Sequence, residues 1–94
     1  MTVSGRLVDA NGDEMALCAV ELHLASNDEV VDWQKVDSNF REAFLVKPRS
    51  DSYYVTANCG GGERGRSKEF TFDNSHTDAP IQLGTIVVRL PAVN

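Results

Sequence analysis

Cys18, Cys59, His23 and His76 carry the most consequential chemistry in this chain. Together they could hold a zinc ion by ligand type, yet their spacing follows no zinc pattern, and on a strand His23 faces away from Cys18. His23 is therefore expected as an exposed strand residue and His76 as a loop residue, with no metal bound. A catalytic thiol needs a neighbouring cation or base to lower its pKa, and neither cysteine has one nearby in sequence. Two readings of the pair stay open. In an oxidising compartment Cys18 and Cys59 form a disulfide bridging two sheets, worth roughly 4 kcal/mol for a loop of this length. Otherwise they are buried thiols acting as small hydrophobes. The first reading is preferred.

The remaining motifs fall short of known chemistry. Asp9, Asn11 and Asp13 alternate like the start of a calcium loop. The sixth position, however, is Glu14 rather than glycine, and the twelfth is Val20 rather than a bidentate glutamate. The stretch 60–67 imitates a phosphate loop, with Arg66 in place of lysine. Lys68 to Phe72 then alternates as a strand, so no helix N-terminus follows to hold a phosphate. No nucleophile elbow is present. The chain reads as a non-enzyme that needs no cofactor.

The elements that would position these residues are strands. Apolar residues alternate almost everywhere, and no segment keeps a helical period. Strands are expected at 3–7, 18–24, 30–36, 43–46, 53–59, 68–72 and 81–90. Cys18, Val20, Leu22 and Leu24 share one face, as do Tyr53, Val55, Ala57 and Cys59. Phe70 and Phe72 should point inward. In the last strand Ile81 and Leu83 are out of phase with Ile86, Val88 and Leu90, which predicts a bulge or bend at Gly84. Trp33 is expected in the core. Tyr54 lies opposite Tyr53 and Val55 and is expected to be exposed, beside Thr56 and Asn58, as part of a recognition surface.

At 94 residues the chain has room for one domain, residues 1–94. Its net charge is −5, and Arg64, Arg66 and Lys68 are interrupted by Glu63 and Glu69. That balance disfavours nucleic acid and anionic membrane surfaces. No apolar run is long enough for membrane insertion. Residues 1–7 lack the charged and apolar regions of a secretory signal. The chain enters a strand at once, which favours a domain cut from a longer exported protein over a cytosolic one.

Four stretches resemble the carboxypeptidase regulatory-like and transthyretin-like (prealbumin-like) β-sandwich families. Val3-Ser4-Gly5-Arg6-Leu7-Val8-Asp9-Ala10-Asn11-Gly12 resembles the opening strand and turn, and Cys18-Ala19-Val20-Glu21-Leu22 the strand that follows. Val36-Asp37-Ser38-Asn39 through Phe44 is similar to the central turn, although the glycine expected after Asp37 is absent. Leu83-Gly84-Thr85-Ile86-Val87-Val88 is similar to the closing strand. The resemblance spans about 85 residues and implies an all-β, seven-stranded antiparallel Greek-key β-sandwich, transthyretin-like or Ig-like. The enzymatic branch of that fold, hydroxyisourate hydrolase, needs a first-strand histidine where this chain has Arg6, and a C-terminal Tyr-Arg-Gly-Ser that it lacks. What the resemblance implies is a non-enzymatic interaction or structural module of a secreted or cell-envelope protein. Such a module contacts a protein partner through its loops or a sheet edge. Candidate contacts are Tyr54, Asn58, Arg64 and Arg66, with His76 in the loop 73–80. The alternative is a carbohydrate- or ligand-binding domain using Trp33 or Tyr54, which requires Trp33 to be solvent-accessible. Oligomeric state is not encoded in any residue pattern.

Overall fold

Alternation of buried and exposed side chains, with glycine or Asx turns between the runs, makes strands the regular elements of the described residues. The structure is a computed structural model that describes residues 1–46, 49–72 and 80–90. Among them are eight strands: β1 (Thr2–Val8), β2 (Cys18–Leu24), β3 (Val30–Val36), β4 (Asn39–Ala43), β5 (Arg49–Asn58), β6 (Arg64–Arg66), β7 (Phe70–Phe72) and β8 (Ile81–Val87). They form two sheets, one of three strands ordered β4-β1-β8 and one of five. The larger runs β3-β2-β5-β6, with β7 also paired to β5. No helix among the described residues is long and apolar enough to cross a membrane.

Both sheets contribute to one core. Val3 and Leu7 of β1, Phe40 of β4, and Leu83 and Ile86 of β8 meet Val20, Leu22, Val55 and Ala57 of β2 and β5. Tyr53 and Phe44 are the largest fully buried side chains. Phe70 packs against this cluster and Phe72 is part of it, as their parity requires.

The sequence expectations need four corrections here. The described residues hold eight strands where seven were expected, because the glycine-rich connection closes as a hairpin and returns as β6, paired with β5 at Thr56, Ala57 and Asn58. The pairing is not antiparallel throughout: β1 and β8 run parallel. Parallel neighbours need a long crossover, and all the intervening strands supply it. Third, β4 occupies Asn39–Ala43 rather than 43–46, pairing with β1 from Arg6↔Asn39 to Thr2↔Ala43. Phe40 and Phe44 share its inward parity, but Glu42 between them hides the alternation.

The fourth correction concerns Trp33. It is 60% exposed, not in the core. Opposite Glu21 in register, it shares that residue's outward face, while Val36, Gln34 and Asp32 take the inward positions of β3. A three-stranded sheet cannot cover all of a five-stranded one, so two of the three inward positions of this edge strand, Asp32 and Gln34, are polar and only Val36 reaches the core.

The phase break in the last strand is present. Between Ser4↔Gln82 and Arg6↔Thr85, β8 gains one residue on β1, and Gly84 takes φ +73° there. The bulge lets both Leu83 and Ile86 face the core. Asp9 closes the first turn, its Oδ1 accepting the N–H groups of Asn11 (2.8 Å) and Asp13 (3.0 Å). That carboxylate is spent on its own turn, as an Asx turn spends it.

Candidate functional site

Cys18 and Cys59 are joined by a disulfide. The bond ties adjacent strands of one sheet, not the two sheets to each other. Its register follows from Ala19↔Asn58, which puts Cys18 directly opposite Cys59 with their Cα atoms 4.3 Å apart. The Cys59 N–H turns away from β2 to the Glu63 carbonyl, which makes this a non-hydrogen-bonded pair, where facing side chains approach closest.

Four of the five binding candidates, Tyr54, Asn58, Arg64 and Arg66, come together on the outer face of the five-stranded sheet. Tyr54 and Asn58 project from β5 with Thr56 between them, and Arg66 and Arg64 stand beside Thr56 and Asn58 from β6. His76, the fifth, lies outside the described residues.

Tyr54 keeps the predicted outer face but is not exposed: only 4% of it reaches solvent. His23 stacks on one side of its ring, 4.7 Å between centroids and nearly parallel. The Arg66 guanidinium lies 3.8 Å from the ring centroid. The phenol donates to Asp28 Oδ1 at 2.6 Å. That hydrogen bond, with burial and the Asp28 charge adding to it, raises the Tyr54 pKa above its ordinary value, while Arg66 opposes. Tyr54 thus serves as the bed of Arg66 rather than as a contact.

His23 anchors the same group. The Asp28 carbonyl can only accept, so Nδ1–H donates to it at 3.0 Å. In the neutral ring Nε2 then accepts from the Thr56 hydroxyl at 2.8 Å. Asp28 itself sits at φ +61°, a conformation aspartate tolerates better than most residues. Asn58 donates its amide to Glu21 Oε1. The Ser67 hydroxyl is also committed, donating to the Lys68 carbonyl and accepting the Val55 N–H.

Beyond β8 the chain crosses to the larger sheet. Arg89 and Arg64 exchange backbone hydrogen bonds of 2.8 and 3.0 Å as an antiparallel bridge. This continuation completes an open cleft of about 430 Å³ lined by Thr56, Asn58, Arg64, Gly65, Arg66, Val87 and Arg89. Gly65 is required by the close approach, since a Cβ there would lie 2.8 Å from the Val87 carbonyl oxygen. A larger depression of about 520 Å³ on the three-stranded sheet includes Arg6, but that guanidinium is held 3.7 Å from Glu14.

Sequence reasoning missed Arg89, His23 and Asp28 as members of the group. Arg89 left one trace, a cation alternating with Val88 and Leu90 in an apolar closing run. Among the described residues no cluster of three or more histidine, cysteine or acidic side chains is arranged to hold a metal. The chain matches no protein-family model and no curated protein.

Proposed function

We propose that this domain is a non-enzymatic interaction module of a secreted or cell-envelope protein, with a Greek-key β-sandwich of the transthyretin-like, carboxypeptidase regulatory-like kind. It takes an extended segment of a protein partner along the open β3 edge. The observation that carries this reading is the apolar strip on that edge. Val30, Val31 and Trp33 are exposed on the outermost strand of the five-stranded sheet. Leu45, 94% exposed, is brought to the same edge by its N–H, which donates to Asp32 Oδ2 at 3.1 Å. Exposed apolar residues gathered at a sheet edge favour strand addition, in which backbone pairing supplies affinity and alternate side chains supply specificity. The disulfide agrees with an oxidising compartment.

The test is to select extended peptides from a random library against the immobilised domain and map them by amide hydrogen exchange. Selected peptides should protect the Val31 and Lys35 amides and lose at least tenfold in affinity on Trp33→Ser. Peptides that bind the variant equally well and leave β3 unprotected would sink this reading.

Exposure of Trp33 also meets the condition set by a second reading, a carbohydrate-binding face with the indole as its platform. Saturable quenching of the indole by neutral oligosaccharides, unaffected by selected peptides, would favour it over the first.

A further inference from the structure

The basic cleft asks for an explanation that the β3 edge does not provide. Three guanidinium groups line one concavity in a chain of net charge −5. Among the described residues, none of them forms an ion pair. Arg64 and Arg89 are directly opposite each other across an antiparallel bridge, an arrangement of like charges that opposes folding. Folding tolerates that repulsion although the rest of the surface is acidic, and a bound anion would remove it.

The donors are also held ready. Arg66 rests its flat face on Tyr54, which Asp28 and His23 fix in place. Stacking uses the π-face of a guanidinium and leaves the N–H groups at its rim free for an oxygen ligand. Arg64 commits one N–H to the Glu63 carbonyl at 3.1 Å, which orients the rest of its fork. The absence of a side chain at Gly65 lets β6 lie against the Val87 backbone, bringing Arg64 and Arg66 to the same cleft as Arg89.

We propose that this cleft binds a tetrahedral oxyanion, the terminal group of a sulfate or phosphate monoester. Three guanidinium groups, two arriving from β6 and one from the β8 continuation, offer donors from both sides of the cleft. A tetrahedral group with three free oxygens uses them more fully than a planar carboxylate, which one arginine fork satisfies. Val87 supplies an apolar wall, and the open cleft leaves space for the carrier of the ester. The site is independent of the β3 edge.

The experiment is a titration of the whole domain with methyl sulfate, methyl phosphate and acetate at fixed ionic strength, followed by the Gly65 and Arg89 amide resonances. One or both esters should give saturable shifts, and the tighter of the two assigns the ester class. Acetate should bind at least fivefold more weakly. Arg64→Gln and Arg89→Gln should each weaken the ester roughly tenfold, the loss expected for one charge-assisted contact. Arg41→Gln, on the other sheet, should change it less than twofold. All three are exposed positions, and a melting curve checks that each variant is folded. Equal binding of acetate, an equal loss on Arg41→Gln, or no saturable shift with either ester overturns the proposal.

Discussion

At the scale of single residues, two arrangements dominate: the disulfide and the set of groups around the Tyr54 ring. The bond between Cys18 and Cys59 closes a loop across 41 positions, worth about 4 kcal/mol if loop-closure entropy carries it. Total stability for a domain of this size is only about 5–10 kcal/mol. The Cys18→Ala/Cys59→Ala variant should therefore lose roughly half of its stability, with the urea midpoint falling by a similar fraction. A free-thiol count on the denatured, unreduced protein should find none, whereas two free thiols would remove the main support for export. Tyr54 makes a pH prediction of definite sign. Its folded-state pKa is raised, so its contribution to stability is complete below the unfolded value of about 10. That contribution is lost as pH rises through the folded value. In a Tyr53→Phe background only one phenol titrates in the ultraviolet. Asp28→Asn should lower its midpoint, because the charge of the carboxylate is removed while the backbone preference at φ +61° is respected.

At the scale of elements, two glycines do different work. A Cβ on Gly84 would meet nothing within 4 Å, but the φ of +73° there lies in the left-handed region. Gly84→Ala should cost about 1–2 kcal/mol through the backbone alone. Gly65 has ordinary φ, but a Cβ on it would face the Val87 carbonyl oxygen at 2.8 Å. Backbone cannot step aside as a side chain can, so Gly65→Ala must separate β6 from β8, costing about 1–3 kcal/mol. Chemical denaturation measures both losses. Only the Gly65 variant should also weaken ester binding in the cleft, since only it displaces Arg64 and Arg66 from Arg89.

At the scale of the whole molecule, the unequal size of the two sheets decides what the surface offers. Three strands cannot cover five, so β3 stays an edge with polar Asp32 and Gln34 inward, while its register with β2 turns Val31 and Trp33 to the outer face. The single indole should accordingly be quenched by acrylamide nearly as readily as a free tryptophan derivative in the native protein, and reduction of the disulfide under native conditions should not change that. A protected indole would contradict the register of β2 and β3. On the far side of the same sheet the β8 continuation adds Arg89, so one outer face carries an apolar edge and a basic cleft separated by three strand spacings, about 14 Å.

Strand content, the inward faces of β2 and β5, and the break at Gly84 were legible in the sequence, because side-chain alternation is a local property of the backbone. The opposition of Cys18 and Cys59 was half legible: parity showed both thiols facing inward, but which strands are neighbours is not a local property. For that reason the bond was expected between sheets and lies within one. Trp33 and Tyr54 exchanged their expected environments for a similar reason. Parity places a side chain on a face, whereas exposure depends on what else covers that face: Arg66 and His23 cover Tyr54, and nothing among the described residues covers Trp33. The basic cleft was legible only in Arg64 and Arg66. Arg89 lies 23 positions further on, and it joins them only because the continuation of β8 leaves one sheet for the other, a choice made by long-range backbone pairing.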